Sequence, residues 1–354
     1  MKKLIDICDI QYGYAFDSAY FTENSCYPPL ARIRDVKRGY SETYYSGGYS
    51  EEYILASGDL LVGMDGEFNI ARWKCDGALL NQRVCRLLAK KGTNEEYLRF
   101  AMMKVLKEIE RRTAFVTVKH LSAKELNKLQ LVVPDLSTQN KVAEILSRLE
   151  KIIGLRRQEL KRLDDLIKAR FVELFGDPRS NPFGFEKKML KDTCKVITGN
   201  TPSRAIAEYY GDYIEWIKTD NIVSGILNPT QATESLSEKG MNVGRTVEKD
   251  SILMACIAGS IASIGRVCIT DRTVAFNQQI NAVVPEQYNI LFLYVLLQMS
   301  KDYLVEDINM ALKGILSKSK LEEKEFIIPP MDLQEQFSDF VKQVDKSKFI
   351  NQLL

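Results

Sequence analysis

The most reactive side chains in this sequence are one histidine and seven cysteines. A hydrolytic triad is not expected, because His120 stands alone and has no matched nucleophile. The cysteines are scattered through the chain and none forms a CxxC pair, which argues against a zinc site and against a disulfide framework. We interpret them as small buried hydrophobic residues of a reducing compartment.

Other motifs of common enzymes are also missing from the sequence. It has no Gly-x4-Gly-Lys-Ser/Thr loop for the phosphates of ATP, and no carboxylates at the spacing of a metal site. Residues 181–184, Asn-Pro-Phe-Gly, are similar to the Asp/Asn-Pro-Pro-aromatic loop of amino-methyltransferases. They lack its second proline, and no glycine-rich cofactor loop accompanies them, so a turn is predicted there. We therefore expect no catalytic residue, no metal and no cofactor.

Length and composition indicate a globular protein with more than one domain. A chain of 354 residues exceeds the usual size of one domain, so two domains with separate cores are expected. No apolar run is long enough to cross a bilayer, and the first residues lack the features of a signal peptide, which favours a cytoplasmic location. The net charge of +2 is small, so any contact with nucleic acid must come from local clusters of basic residues.

An internal repeat organises the chain. The matched pairs, in order, are LIDICDIQYGYAF (4–16) with LKDTCKVITGNTPS (190–203), Asn-Gln at 81–82 with Asn-Gln at 277–278, and LQLVVPDLSTQ (129–139) with KEFIIPPMDLQ (324–334). The distance between matched residues grows from 186 to 196, so the second copy carries about ten additional residues. Matched segments in one order predict two copies of one domain.

Each copy combines strand and helix patterns. Four short β-branched or aliphatic runs, bounded by Gly, Asp and Asn, are typical of strands. They are DLLVGM (59–64), RVCRLL (83–88), SILMACI (251–257) and INAVV (280–284). Residues 94–112 have the apolar spacing of an amphipathic helix, and residues 290–308 are their counterpart. Each copy is therefore predicted to be a small α+β domain.

A long helix is predicted between the copies. Residues 137–175 contain no proline and a single glycine, and their seam follows the alternating three- and four-residue spacing of a coiled coil. The seam positions are Leu146, Leu149, Ile153, Arg156, Leu160, Leu163, Ile167, Arg170 and Leu174. Asp135 or Ser137 can cap the start and Gly176 can end the helix, giving a rod of about 58 Å. An ordinary core helix is the alternative interpretation.

Together, the duplicated domain, the long helix and a shorter final helix resemble the specificity subunit of type I restriction-modification systems. The resemblance extends over essentially the whole chain, and its local motifs are ITGNTPS (197–203), WIKTDNI (216–222), FNQQI (276–280) and LFGDPRSNPFGFE (174–186). It implies an α+β fold with two target-recognition domains, at 1–136 and 177–331. These are separated by long antiparallel coiled-coil spacer helices, at 137–176 and 332–354.

The resemblance also implies a role in recognising double-stranded DNA, without catalytic activity. In that family each target-recognition domain reads one half of a split DNA site, and the spacer helices fix the distance between the halves. The helices also dock methyltransferase (M) subunits, which we expect to number two, and a restriction and translocation (R) subunit joins for cleavage. Adenine methylation and DNA cutting are therefore expected of the partners.

Candidate DNA-contacting residues lie in loops and at strand ends of both copies. Base edges are read by Arg, Lys, Asn and Gln side chains, and phosphates are held by Lys, Arg, Ser, Thr and backbone amides. In the first copy the candidates are Gln11, Tyr12, Tyr14, Arg32, Arg34, Arg72, Lys74, Lys119 and His120. In the second copy they are Thr198, Asn200, Thr201, Ser203, Arg204, Lys218, Thr219 and Lys313. The matched Asn-Gln pairs can be either structural or DNA-facing.

Two features depart from the family pattern. The second copy has fewer basic residues in its loops and a slightly negative net charge, which makes DNA contacts there less expected. The helix at 332–354 is shorter than the first and would leave part of it unpaired. A truncated product, a second copy of the chain or a partner would each account for that difference.

Three other functions stay open. The chain can be the specificity chain of a fused restriction-methylation enzyme, which neighbouring genes would identify. It can be a helical scaffold or adaptor that does not bind DNA, in which case no positive cleft is expected. An autonomous methyltransferase would bind S-adenosylmethionine.

Overall fold

The computed structural model describes residues 1–112, 120–308 and 314–353. The chain forms two compact units, unit 1 (Met1–Leu155) and unit 2 (Arg156–Leu354), and the boundary falls inside one long helix. Within the described residues, no helix combines the length and the apolar character that crossing a bilayer requires.

Unit 1 consists of short strands and a few helices. Its strands are β1 (Lys2–Lys3), β2 (Cys8–Tyr12), β3 (Phe21–Thr22), β4 (Leu30–Ala31), β5 (Tyr44–Tyr45), β6 (Ile54–Leu55), β7 (Leu60–Gly63), β8 (Asn69–Arg72), β9 (Ala78–Leu80), β10 (Val84–Ala89) and β11 (Gln130–Leu131). Its helices are α1 (Leu4–Ile7), α2 (Glu95–Arg112), α3 (Ala123–Lys128) and the first part of α4 (Leu136–Phe175).

Unit 2 contains the rest of α4 and a similar set of elements. Its strands are β12 (Glu186–Met189), β13 (Cys194–Thr198), β14 (Tyr210–Gly211), β15 (Ile214–Ile217), β16 (Ser235–Leu236), β17 (Thr246–Val247), β18 (Ile252–Ala255), β19 (Ile257–Ala258), β20 (Val267–Ile269), β21 (Val274–Phe276), β22 (Ile280–Pro285), β23 (Gly314–Ile315) and β24 (Glu325–Ile328). Its other helices are α5 (Glu238–Val243), α6 (Ile290–Met299), α7 (Lys301–Val305), α8 (Lys318–Glu322) and α9 (Met331–Leu353).

Each unit is built on a four-stranded antiparallel sheet with the same strand order. The order is β2-β10-β7-β8 in unit 1 and β13-β22-β18-β20 in unit 2. The four apolar runs predicted as strands form the central strands, β7, β10, β18 and β22. β7 and β18 are buried along their whole length, which explains why their sequences are apolar without alternation.

A second sheet repeats as well. It has the order β4-β9-β6 in unit 1, and β15-β21-β17 occupies the corresponding place in the larger sheet of unit 2. In both units the first of these pairs is parallel and the second is antiparallel. The duplication and the mixed helix–strand class predicted from the sequence are therefore confirmed in the backbone topology.

A close backbone approach at the end of β2 and β13 requires glycine. A β-carbon at Gly13 would lie 2.0 Å from the carbonyl oxygen of Asn81, and one at Gly199 would lie 2.2 Å from that of Asn277. Both asparagines are buried, whereas Gln82 and the matching glutamine of unit 2 are exposed. The matched Asn-Gln pairs thus combine a buried structural residue with an exposed one.

The predicted amphipathic helices behave differently in the two units. α2 follows the prediction closely and buries Leu98, Met102 and Leu106 against the main sheet of unit 1. The counterpart at 290–308 was predicted as one helix, and that prediction is wrong. Ser300 takes a ψ of 14° and interrupts the helix between α6 and α7. Serine is a poorer helix former than the leucines of α6, and the Ser300 backbone amide bonds to the carbonyls of Gln298 and Leu296 as the helix ends.

A buried glutamine fastens the start of each long helix to its unit. The side-chain oxygen of Gln139 accepts a hydrogen bond from the backbone amide of Asn94, before α2 (2.9 Å), and its nitrogen donates to the carbonyl of Pro134 (2.8 Å). Gln334 makes the same two bonds, to the amide of the residue that caps α6 (2.9 Å) and to the carbonyl of Pro329 (2.8 Å). Both side chains are 1% exposed, so these bonds are shielded from water.

In unit 2, α9 packs antiparallel against the second half of α4. Phe337 of α9 lies 5.6 Å, ring centre to ring centre, from Phe171 of α4, and Lys348 near the end of α9 bonds to Asp164, earlier in α4 (2.8 Å). Leu163, Ile167 and Leu174 from the predicted seam belong to the same core. The second half of the seam is therefore covered by α9.

The first half of α4 carries an exposed apolar row. Its members lie on the helix face that α9 covers further along: Ile145, Leu149, Ile152 and Ile153. Each is about half exposed, although Leu149 and Ile153 were predicted seam positions. A coiled coil over the whole length of α4 needs a second helix there, and that arrangement stays a prediction.

Candidate nucleic-acid interface

Two predicted arginines of unit 1, Arg32 and Arg34, lie in the turn that follows β4. The buried carboxylate of Asp35 shapes this turn by accepting hydrogen bonds from the backbone amide of Arg32 (3.3 Å) and the hydroxyl of Ser41 (3.1 Å). Asp35 also pairs with Arg38, and this hydrogen bond raises the pKa of the Arg38 guanidinium. A buried anion therefore fixes both the backbone and a neighbouring cation.

Arg32, Arg34 and Arg38 line one open cleft of about 750 Å³, which we name the arginine cleft. Its other lining residues are Phe21, Thr22, Glu23, Glu42 and Thr43. The Arg32 guanidinium carbon lies 5.6 Å from the centre of the Phe21 ring, and Arg34 donates to the Thr43 hydroxyl (3.2 Å). Arg38 is paired with Asp35 and with Glu42 (3.5 Å), which leaves Arg32 and Arg34 as the guanidinium groups of the cleft without a carboxylate partner among the described residues. Guanidinium groups bind phosphate oxygens and guanine edges.

Tyr14, another predicted residue, is exposed and joins a row of aromatic rings that reaches the cleft. Its ring centre is 5.1 Å from Phe16, Phe16 is 4.8 Å from Tyr45, and Tyr45 is 6.3 Å from Phe21. Phe16 and Tyr45 in the middle of the row are buried, so Tyr14 at its outer end is the exposed ring, suited to stacking on a base or packing against a sugar. The structure thus connects Tyr14 with Arg32 and Arg34 across unit 1.

His120 lies in a separate polar cluster. It contacts the carboxylate of Asp65, and Arg83 approaches its Nδ1 atom to 2.9 Å. Arg83 has a φ of 69°, in the left-handed region, directly after the exposed Gln82. At the surface, the carboxylate of Asp65 therefore contacts both the His120 ring and the Arg83 guanidinium.

The other described candidates of unit 1 direct their polar atoms to partners within the unit. Gln11 contacts Arg86 (3.0 Å), Tyr12 contacts Asn127 (2.9 Å), Arg72 contacts Glu95 (2.9 Å) and Glu96, and Lys74 contacts the carbonyl of Arg38 (2.9 Å). Burial opposes the charge on Arg72, but its hydrogen bonds with Glu96 and Glu95 prevail and raise its pKa. These contacts give all four residues a structural role, and their DNA contacts stay predictions.

In unit 2, the predicted residues Asn200 and Thr201 fasten the loop that follows β13. The side-chain nitrogen of Asn200 donates to the carbonyl of Val243 (2.9 Å), and its side-chain oxygen accepts from the backbone amide of Arg245 (2.8 Å). The Thr201 hydroxyl contacts the exposed Gln278. The loop at 199–204 is therefore bound to two neighbouring segments of the unit.

Two aromatic residues hold the same loop and also support its arginine. The Trp216 indole donates to the carbonyl of Asn200 (3.3 Å), and the Tyr210 hydroxyl donates to that of Pro202 (2.7 Å). The guanidinium carbon of Arg204 lies 4.4 Å from the Tyr210 ring centre and 5.1 Å from that of Trp216. The polar atoms of these side chains position the backbone, while their ring faces position the cation.

Glu234 joins the two predicted cations of unit 2. It accepts a hydrogen bond from Arg204 (2.7 Å) and pairs with Lys218, whose ammonium lies 5.1 Å from the Trp216 ring centre. Lys218 and Arg204 both lower the pKa of Glu234, so it is ionised at neutral pH. We name Arg204, Tyr210, Trp216, Lys218 and Glu234 the aromatic–arginine cluster.

The remaining candidates of unit 2 have simpler surroundings. The Thr198 hydroxyl donates to Asn281 (2.8 Å), Ser203 is exposed beside Arg204, and the carbonyl of Thr219 accepts from Arg266 (3.2 Å). The predicted residues Lys119 and Lys313 lie outside the described residues.

The sequence analysis missed residues of both the arginine cleft and the aromatic–arginine cluster. Arg38 was passed over although RIRDVKRG (32–39) is dense in basic residues, and that density was an available signal. Glu234 was passed over because an isolated carboxylate in a loop carries no motif. Its role follows from chain folding, which brings it from position 234 to Arg204 and Lys218.

The cysteines are buried for the most part, as predicted. Burial raises the pKa of Cys8, Cys194, Cys256 and Cys268 to about 12, so these thiols are protonated at neutral pH. The prediction is wrong for Cys26, which is exposed, and for Cys75, which is half-buried. Both belong to loops of unit 1, where apolar packing is sparse.

The chain matches known proteins over nearly its full length. The family described as Type I restriction modification DNA specificity domain matches residues 1–164 and 182–354. The specificity subunit of the type I restriction enzyme EcoBI from Escherichia coli is 29% identical, over 96% of this chain and 77% of that protein. The MjaIX specificity subunit from Methanocaldococcus jannaschii is 25% identical, over 77% of this chain and 67% of its own length.

The fold also has a solved counterpart. The crystal structure of the S subunit of a type I restriction-modification system from M. genitalium covers 99% of this chain and 90% of its own length, with a TM-score of 0.59 and 14% identity. At that identity the likeness concerns the fold alone. Because the family match covers both units and nearly all of the sequence, the chain belongs to the type I restriction-modification DNA specificity family.

Proposed function

We propose that the chain is the DNA-binding specificity subunit of a type I restriction-modification complex and reads a bipartite site. The observation that carries this proposal is the duplicated fold, in which each unit presents a cluster of cations and aromatic rings on its loops. Such clusters combine the groups that hold phosphates with those that read base edges. Acting on DNA would place the protein in the cytoplasm.

The division of labour follows the sequence boundaries. Residues 1–136 and 177–331 form the two target-recognition domains, and the helices at 137–176 and 332–354 act as spacers. The two half-sites should differ in sequence, because the arginine cleft and the aromatic–arginine cluster have different side chains. The same repeated scaffold then supports two different recognition surfaces.

The exposed apolar row of α4 supports partner docking. Ile145, Leu149, Ile152 and Ile153 are each about half exposed and lie along one helix face, an arrangement suited to binding another helix. We propose that two M subunits dock on the spacer helices, and that an R subunit joins this assembly for cleavage. Methylation and cutting are then performed by the partners, and this chain selects the site.

Selection from random duplexes tests the proposal. The chain, assembled with its M subunits, is expected to enrich two short sequence blocks separated by a run of fixed length and free sequence. Affinity should also fall steeply between 50 and 200 mM salt, by about a thousandfold or more if six or more phosphates are contacted. Enrichment of no sequence, or affinity independent of salt, would contradict the proposal and favour a scaffold that does not bind DNA.

A further inference from the structure

The guanidinium of Arg204 is held in place within unit 2 before any ligand binds. Tyr210 and Trp216 face it with their rings and hold the 199–204 loop with their polar atoms. The loop is also fastened through Asn200. A side chain ordered in this way loses little further entropy when it binds, which favours affinity and geometric selectivity.

Arg204 nevertheless remains available to a partner. Its side chain is 56% exposed, and its Nη2 atom bonds to Glu234 (2.7 Å). Among the described residues, neither Nε nor Nη1 has a protein acceptor. The fixed fork of a guanidinium suits the paired O6 and N7 acceptors on the major-groove edge of guanine. Lys218 is 26% exposed and has a compact charge that suits a phosphate better.

The arrangement is confined to one unit. The strand pairing places Thr43 of unit 1 where unit 2 has Glu234, and counting from the matched glycines places Arg32 where unit 2 has Lys218. The loop that carries Arg204 is three residues longer than its counterpart, because the short helical turn after it begins at Ala207, whereas that of unit 1 begins at Ser18. The two units thus share the strand pairing and differ in the loop and the side chains around it. A specificity determinant should vary in this way, whereas a structural ion pair of the fold should recur in both copies.

We propose that Arg204 is a specificity-determining residue that reads a guanine in the half-site of unit 2, with Glu234 as its positioning residue. This inference rests on the proposed DNA-binding function. Glu234 holds the Arg204 guanidinium against the two rings and sets the direction of its N–H donors. Lys218 pairs with the same carboxylate and therefore lies beside Arg204. Unit 1 reads its own half-site with a different set of side chains.

A second cluster of unit 2 supplies matched controls. Glu306 bonds to Arg179 (2.7 Å) and Lys324 (3.1 Å), and both cations face the Tyr303 ring. Arg179→Lys and Glu306→Gln therefore repeat the chemical changes of Arg204→Lys and Glu234→Gln within the same type of arrangement. Arg179 lies in the turn after α4 and has no assigned role in DNA binding.

The experiment is random-duplex selection by the full chain assembled with its M subunits, comparing wild type, Arg204→Lys, Glu234→Gln and the two controls. Arg204→Lys keeps the positive charge and removes the planar pair of N–H donors that can bind O6 and N7 of guanine together. It should lower the preference for guanine at one position of one block by roughly tenfold to a hundredfold. The other block and the salt dependence should not change. Glu234→Gln should weaken the preference at the same position by a smaller factor, and the controls should match wild type.

Two failures are distinguishable. If wild type enriches no bipartite sequence, the proposed function fails. If wild type enriches one and Arg204→Lys retains every base preference, or weakens all sequences equally, the reading role of Arg204 is overturned. Thermal unfolding of each variant, measured alongside, establishes that the compared proteins are folded.

Discussion

Replacing Phe337 with alanine is expected to lower the free energy of unfolding of unit 2 by about 3–5 kcal/mol. The Phe337 side chain is fully buried, and its ring centre lies 5.6 Å from both Phe171 and Phe175 of α4. A third ring, Phe292 of α6, lies 6.4 Å away. Alanine would leave a cavity among three rigid rings that cannot collapse to fill it, and α9 would lose its main contact with α4.

The two tryptophans make this measurement specific to one unit. Trp73 belongs to unit 1 and Trp216 to unit 2, so in a Trp73→Phe background the fluorescence during urea unfolding reports on unit 2. Phe183→Ala is the matched control, because Phe183 is exposed in the same unit, and a loss below about 1 kcal/mol is expected for it. An unchanged urea midpoint for Phe337→Ala would contradict the packing of α9 on α4.

Replacing Gln139 or Gln334 with leucine is expected to destabilise the corresponding unit by about 2–5 kcal/mol. Each leucine fills the space but leaves a backbone amide and a proline carbonyl buried without a partner, and each such group costs about 1–3 kcal/mol. Because the same glutamine joins the helix start to the rest of its unit, α4 or α9 should also loosen at its first turns.

Each glutamine substitution is expected to destabilise its own unit and to leave the other unit unchanged, so the two variants test each other. Gln139→Leu should shift unfolding of unit 1, followed through Trp73 in a Trp216→Phe background, and Gln334→Leu should shift that of unit 2. Gln130→Leu in unit 1 and Gln343→Leu in α9 of unit 2 are controls, since both positions are exposed. If the buried and exposed substitutions have equal effects, the two glutamines do not anchor the helices.

Much of the architecture was predictable because it depends on local patterns. Strands such as Leu60–Gly63 and Ile252–Ala255 are buried on both faces, and for this reason their sequences are apolar without alternation. The long helix was predicted at 137–175 and is observed at 136–175, since absence of proline and regular apolar spacing are local signals. The break at Ser300 was missed because a single serine within the regular apolar spacing of 290–308 is a weak local signal.

The candidate site was predictable only in part, because it depends on which distant side chains meet. Arg32 and Arg34 were selected and do share a cleft, whereas Arg72 pairs with two carboxylates of α2 that lie more than twenty residues away in sequence. Arg204 and Lys218 were selected separately, and the structure joins them through Glu234. Long side chains in loops carry no periodic signal, so their partners cannot be read from spacing.

By itself, the sequence determined the duplication, the α+β class of each copy, the long helix between them and the family resemblance. These features depend on the order of the residues and on their periodicity, and both can be read directly from the sequence. The tertiary structure alone decided which face of α4 is covered by α9 and which is left exposed, and which cations are held by a carboxylate and which line an open cleft. Those outcomes depend on distances between residues far apart in the chain, and they are set only when the sheets and helices pack.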